Sequence, residues 1–375
     1  MPPPEVTPLR WRDPPLGEIA FPAGVLRLTL GVGSGLSRRP GDPPGRFWGL
    51  GDRGPNLKIA DAISNYGLDH LEPLRGLDGA KVLPAPEIGP TLAELQIVGD
   101  RVELLRTLRL STPDGALVSG RALPGSRQAD MEPTFDAAGL PLATDPAGAD
   151  TEAVAALADG SFWVAEEYGP SLMQVDGQGV VRRRWTPQGL NLPGVQAILP
   201  ARAAERRMNR GLEGLAASPN GRWLYAGFQS ALDRPGEDRR AALIWKLDAA
   251  TGGLAGEFSY PFDPPKSFTA DAAAGRVDAG DLKICELAWV GPDRLLVLER
   301  ISRSARIYRI DLATGRPLIK TLLFSTDREG GIAADLEGMA VMSDCELVLA
   351  TDNDFGVEAA ETRFYRLVFD RPLAG

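Results

Sequence analysis

Four glutamates stand in near-identical surroundings. They are Glu152 in "DTEAVAALADGSFWVAEEYG", Glu213 in "GLEGLAASPNGRWLYAGFQS", Glu286 in "ICELAWVGPDRLLVLERIS" and Glu337 in "DLEGMAVMSDCELVLATDND". A second set of charges follows at the far end of each stretch: Glu166 and Glu167, Glu299 and Arg300, and Asp352 with Asn353 and Asp354; an earlier relative ends on Asp52 and Arg53. Glu152 to Glu167 and Glu337 to Asp352 each span fifteen residues, and Glu286 to Glu299 thirteen. Carboxylates gathered at one place repel one another unless a cation or basic side chains neutralise them. Calcium takes about six to eight oxygen ligands in flexible geometry and suits such a gathering. Calcium is therefore the expected cofactor, with Asp52, Glu152, Glu167, Glu213, Glu286, Glu299, Glu337, Asp352 and Asn353 as its candidate ligands. Basic residues keep them company: Arg210 three before Glu213, Lys283 three before Glu286, and Arg53 and Arg300 in the second set. The mixture can hold a cation and an anionic ester together. Metal-activated water or a carboxylate base would attack, with cations stabilising the developing negative charge. Glu213, Glu337, Arg210 and Lys283 are the expected catalytic residues, and Arg53 and Arg300 the expected substrate-binding ones. The alternative is structural: each Glu bonding backbone amides of a neighbouring unit, and the charges forming salt bridges between units.

Other chemistries are poorly served. His70 is the sole histidine, which excludes multi-histidine metal sites, and no GxSxG elbow accompanies it. His70 reads as an ordinary loop residue. Cys285 and Cys345 form no CxxC, so zinc and iron–sulfur sites are not expected. Whether the two cysteines pair is open. The net charge of −9 argues against nucleic acid as the main partner. No apolar run approaches the length of a membrane span. The start, "MPPPEVTPLRWRDPPLG", lacks the apolar core of a signal peptide. The expectation is a cytoplasmic protein, or a sequence that begins after a removed segment.

The elements that must position these residues are short strands. Gly and Pro number 43 and 32 in 375 residues, which implies many turns. Each repeat contains two apolar runs around a turn such as "ADG" or "SPNG", and the second runs, "FWVA", "WLYA", "LLVL" and "LVLA", are apolar on both faces. Further strand-like stretches follow, including "LIWKLDAATGGLAGEFSYP" and "ARIYRIDLATGRPLIKTLL". Four antiparallel strands recurring every 50 to 70 residues or so is the sequence form of a β-propeller. Five units are visible, one of them placing Ser34 where the others place Glu. The strands of "AELQIVGDRVELLRTLRLSTPDG" are read as part of a sixth. The expected fold is all-β: one six-bladed propeller domain over residues 1–375, with residues 1–20 an irregular arm. An antiparallel hairpin brings the start of its first strand near the end of its second, so both charge sets are expected at one channel mouth. The segments 186–209 and 261–283 are the longest expected insertions and are expected to cover it.

"GSGL" (33–36), "GLGDRGPN" (49–56), "NRGLEGLAASPNGRWLYAGFQSAL" (209–232), "ELAWVGPDRLLVLER" (286–300), "DLEGMAV" and "LATDNDFG", together with the Asp150 repeat, run in an order that resembles the phytase-like family, described by an esterase-like activity of phytase. The resemblance covers nearly the whole chain. It implies a propeller, commonly in exported bacterial proteins, that hydrolyses phosphoric or carboxylic esters. It also adds Asn209 to the substrate-binding set. Gln229 departs from the pattern, standing where the family usually has an acid. The expected partner is a small anionic ester, and the expected state a monomer. Two other readings stand beside the hydrolase: a non-catalytic, calcium-stabilised propeller that binds a ligand or a protein, and a sugar-lactone hydrolase.

Overall fold

The computed structural model of the chain describes residues 2–124, 131–233, 239–312 and 318–375. Five antiparallel meanders of at least four strands carry it. The first sheet pairs Gly35–Ser37, Arg46–Gly51, Thr91–Val98 and Arg101–Arg109. The second runs Thr151–Ala156, Phe162–Glu166, Ser171–Val175 and Val181–Pro187, with Gln196–Leu199 added in parallel at its edge. The third holds Leu212–Ala217, Trp223–Phe228, Ala241–Asp248 and Leu254–Pro261. The fourth holds Lys283–Gly291, Arg294–Arg300, Ala305–Asp311 and Lys320–Ser325. The fifth holds Leu336–Ser343, Glu346–Thr351 and Phe364–Val368, and its outer strand is Glu5–Leu9 from the other end of the chain.

The first strand of each sheet packs against the first strand of the next, and the fifth returns to the first. This is a propeller-type arrangement. A strand apolar on both faces needs a layer on each side, and each sheet has one. Trp163, Phe228 and Trp245 fill the space between the second and third sheets, and Tyr225, Tyr260 and Ile284 that between the third and fourth. Separate clusters join the fourth to the fifth, the fifth to the first, and the first to the second.

Three expectations are corrected. Among the described residues the meanders number five, not six. The strands expected in a sixth, Thr91–Val98 and Arg101–Arg109, pair back onto Arg46–Gly51 as the outer half of the first sheet. A long insertion, 52–90, parts the two halves and disguises them as separate units. The N-terminal arm is not irregular either. Glu5–Leu9 completes the fifth sheet, and Pro15–Phe21 forms a hairpin with Gly24–Thr29. Finally, the largest insertions are 52–90 and 110–150. They carry the helix Ile59–Tyr66 and the short strands Leu57–Lys58, Lys81–Val82 and Thr134–Phe135, which join in one small sheet over its own apolar cluster.

Candidate functional site

In four sheets the inner strand slips register at one residue near its start. Pairing jumps from Thr151 to Ala153, from Leu212 to Gly214, from Ile284 to Glu286 and from Leu336 to Gly338. The skipped residues are Glu152, Glu213, Cys285 and Glu337. A bulge leaves its extra residue out of the ladder and re-aims its side chain, which is how a strand otherwise buried on both faces presents a carboxylate at its end. In the first sheet both Gly33 and Gly35 oppose Leu50, so Ser34 holds the equivalent place. The second set follows by pairing. Thr151, Leu212, Ile284 and Leu336 face Glu166, Phe228, Glu299 and Thr351. The next residues are Glu167, Gln229, Arg300 and Asp352, with Asp52 after Gly51 in the first sheet.

Glu286 is therefore one residue away from its expected place; Cys285 stands there. Glu286 is fully buried and ties strands together instead. Its carboxylate accepts N–H bonds from Leu36 of the first sheet (3.2 Å), Leu215 of the third (3.3 Å) and its own neighbour Leu287 (3.0 Å). Burial pushes its pKa well up, opposed by these N–H groups. Two more expected ligands lie elsewhere. Glu299 faces the opposite side from Arg300, as alternation demands, and binds Tyr260 Oη (2.5 Å), Asp263 N (2.9 Å) and Lys320 Nζ (2.6 Å). Asn353 Oδ1 accepts from Phe355 N–H (3.0 Å), and its amide N–H donates to Leu30 O (3.0 Å) and Thr29 Oγ1 (3.2 Å).

The remaining acids gather. One oxygen each of Asp52, Asp150 and Glu152 lie within 4.8 Å of one another, and so do those of Asp52, Asp352 and Asp354. Burial, then the neighbouring carboxylates, raise the pKa of Asp52, Glu152, Glu167 and Asp352 well above the usual range. Asp150 is raised less markedly by burial, because Arg53 opposes the shift. Ser34 Oγ reaches Asp352 Oδ1 (3.3 Å), and Asp354 N caps its Oδ2 (3.0 Å). Gly211 allows the third sheet to enter beside Glu167: a Cβ there would lie 2.3 Å from the Glu167 carbonyl oxygen, and its N–H donates to Glu167 Oε2 (3.3 Å).

The third sheet contributes Glu213. Gln229 donates to its Oε1 (2.5 Å), while Glu213 Oε2 and Gln229 Oε1 are buried without a partner. Burial, aided by Glu337 and opposed by Lys283, lifts Glu213 to about 7. The half-buried Arg210 bonds Leu282 O (3.3 Å), while Asn209 is exposed with φ +51°. In the fourth sheet the acid–acid pattern becomes Cys285 and Arg300. Arg300 donates Nε to Cys285 Sγ (3.0 Å), pairs Nη1 with Asp335 (2.7 Å) and pairs Nη2 with Glu337. Burial raises the Glu337 pKa while Arg300 and Lys283 hold it down. Both cysteines are free, and burial lifts the Cys285 thiol to about 12.

The insertions supply residues that the repeat does not reveal. Arg53 Nη1 meets Glu132 (2.6 Å), Tyr168 Oη (2.5 Å) and Asp150 (3.2 Å). Lys81, its pKa lowered first by burial and then by Arg53, bonds Asn56. Asp150 and Asp354 were visible as neighbours of expected ligands; Glu132 and Tyr168 carried no signal of their own. His70 is exposed and its Nε2 meets the Ala137 carbonyl (3.0 Å). No helix among the described residues is long and apolar enough to cross a membrane.

Chemically, the mouth offers hard oxygen donors on one side and a carboxylate of near-neutral pKa beside cations on the other. Several known proteins are similar. An "uncharacterized secreted protein" of Arthroderma benhamiae is 28% identical over 231 residues, 52% of this chain and 42% of the relative. The chain thus spans well under two thirds of that relative's length. The structure of the allergen Mala s 1 of Malassezia sympodialis overlaps 92% of this chain and 82% of its own, at TM-score 0.37 and 11% identity. A PQQ-bound aldose sugar dehydrogenase from Streptomyces coelicolor overlaps 97% and 98%, at TM-score 0.35 and 11% identity. Overlaps of this quality carry no argument about function. The sequence pattern described as "Phytase-like: Esterase-like activity of phytase" matches residues 29–355, most of the chain, and the chain belongs to that family.

Proposed function

We propose that this mouth is the active site of a cation-assisted hydrolase of small anionic esters, phosphoric or carboxylic. The observation that carries the reading is the division of the mouth. Asp52, Asp150 and Glu152 form a packed oxygen cluster whose Asp150 Oδ1 is buried and has no hydrogen-bond partner among the described residues. Beside it on the next sheet, Glu213 has a buried oxygen with no hydrogen-bond partner among the described residues, and burial lifts its pKa to about 7.

The cluster fits a hard divalent cation. Its donors are all carboxylate oxygens, its pKa values are raised by burial and then by neighbouring carboxylates, and one oxygen has no hydrogen-bond partner among the described residues. Asp52, Asp150 and Glu152 would hold calcium, with Asp352 beside them. Bound there, calcium supplies Lewis-acid stabilisation of the ester's negative charge. The other steps belong to the chain. Glu213, its pKa lifted to about 7 by burial, takes the proton from an attacking water through Oε2 as that water bonds the ester's phosphorus or carbonyl carbon, and returns it to the departing alcohol oxygen as the ester bond breaks. Gln229 fixes that carboxylate by donating to Oε1. Lys283 and Arg210 are the cations left to receive the ester's anionic oxygens, since Arg53 and Arg300 are engaged by carboxylates. Glu337, held by Arg300, shapes the field on Glu213 rather than accepting a proton. The secreted relative supports a place outside the cytoplasm.

The test is turnover of p-nitrophenyl phosphate, p-nitrophenyl acetate and a sugar lactone with calcium present. Glu213→Gln keeps its shape and loses the base, so the rate should fall about 10²–10⁴-fold. A folded Glu213→Gln protein with full turnover rejects the assignment, and lactone turnover alone transfers it to the lactonase reading.

A further inference from the structure

The other end of the central channel has a different character. The later halves of all five inner strands enclose a cavity of about 430 Å³. Its lining includes Leu36, Leu215 and Leu287, the residues whose N–H groups hold Glu286. The Glu286 tie thus lies at the inner end of the cavity, between it and the acidic mouth. The size lies within the roughly 300–1,000 Å³ of small-ligand sites, and such sites are apolar with a few placed polar groups. Two such groups are present. Trp289 and Arg38 are both among the lining residues, and among the described residues their buried Nε1 and Nε atoms have no hydrogen-bond acceptor. Buried donors are rarely left unpaired. Arg38 gives Nη2 to the Asp42 carbonyl (2.8 Å), and among the described residues no carboxylate pairs with it. The lining acid, Asp344, is exposed on the turn between the fifth sheet's first two strands.

We infer that this cavity is a second binding site, separate from the acidic mouth, for a medium-chain carboxylate whose hydrocarbon lies among the inner strands and whose carboxylate meets Arg38. An apolar body is favoured by the Ala, Leu, Val and Met lining. An anionic head is favoured by an arginine that has no carboxylate partner among the described residues, whereas Arg53 and Arg300 at the acidic mouth are both paired.

The experiment is calorimetric titration of the whole chain with decanoate and, separately, with 1-decanol. Decanoate should saturate one site and bind about ten-fold tighter than the alcohol, the worth of one hydrogen bond to a charged group. Arg38→Met should remove that advantage and leave decanol binding unchanged. Val341→Phe and Ala217→Phe enlarge two half-buried lining residues and should abolish both titrations; two are used so that one misfolded variant does not decide the matter. Asp150→Asn, at the other mouth, should change neither. Absence of saturable decanoate binding, binding that survives in both filled variants, or equal affinity for acid and alcohol each overturns the inference.

Discussion

Two sectors of the acidic mouth are built from the same repeat and solve the same problem differently. In the fourth and fifth sheets, Glu337 and Asp335 meet Arg300, so the protein supplies its own counter-charge. In the first, second and fifth, Asp52, Asp150, Glu152 and Asp352 meet mainly one another, with Arg53 touching only Asp150 among them. A carboxylate lost from water must be paired or protonated. The Arg300 sector is paired. The Asp52 sector is left with raised pKa values and, among the described residues, an oxygen without a hydrogen-bond partner, which is where the proposed cation would supply the missing counter-charge. The difference turns on one position: the second-set residue is Arg300 in the fourth sheet and an acid or amide in the others.

That contrast can be broken from either side. Arg300→Met removes the internal counter-charge, strands Glu337 and Asp335, and leaves Cys285 Sγ without its donor. Arg300 is buried and Glu337 mostly so, but Asp335 is largely exposed, so the loss falls below that of a fully buried pair, at about 2–3 kcal/mol. Urea unfolding should show that loss with calcium absent, and a loss below about 1 kcal/mol would mean the sector is not self-neutralised. Glu286→Gln comes next. The amide keeps one acceptor oxygen for three N–H groups, so at least one buried donor is orphaned, at about 1–3 kcal/mol. The same urea midpoint reads it, and calcium should not rescue it, because Glu286 lies outside the cluster.

A smaller effect is the pH dependence of the calcium-free protein. Glu213 is raised from the usual carboxylate range to about 7, and Asp52, Glu152, Glu167 and Asp352 are also raised. Raised carboxylates hold more protons folded than unfolded. Their stabilisation is therefore present below the ordinary carboxylate pKa and is lost as pH rises through the folded values. Melting temperature should fall between about pH 5 and pH 7 without calcium. With calcium the ionised forms are favoured and the fall should flatten. A calcium-free protein that gains stability across that window would contradict the shared origin of these shifts.

Much of this was legible in the sequence, and the exceptions have physical causes. The apolar runs and Gly turns identify the meanders, and hairpin closure brings the two charge sets to one end. Aligning the repeat on Glu286 hides the bulge, because Cys285 is the residue out of register. The spacing held the clue: Glu286 to Glu299 is two short of the others, and Cys285 to Arg300 restores fifteen. The blade count went astray because an insertion interrupts a sheet between its second and third strands, and nothing local says that Thr91–Val98 will return to Arg46–Gly51. The partners of Arg53 are the least legible. Glu132 lies in an insertion about eighty residues away, and only tertiary folding joins them.

The most direct test of the central claim compares calcium-induced stabilisation in the unaltered chain, Asp150→Asn and Glu337→Gln. Calcium at about 100 times its dissociation constant should stabilise the unaltered protein by about 2.7 kcal/mol, seen as a rise in melting temperature that a chelator reverses. Asp150→Asn should lose most of that rise, and Glu337→Gln, in the self-neutralised sector, should keep it. An unaltered protein whose melting temperature ignores both calcium and chelator, or a rise that survives Asp150→Asn intact, would contradict the claim that the Asp52 sector is completed by a cation.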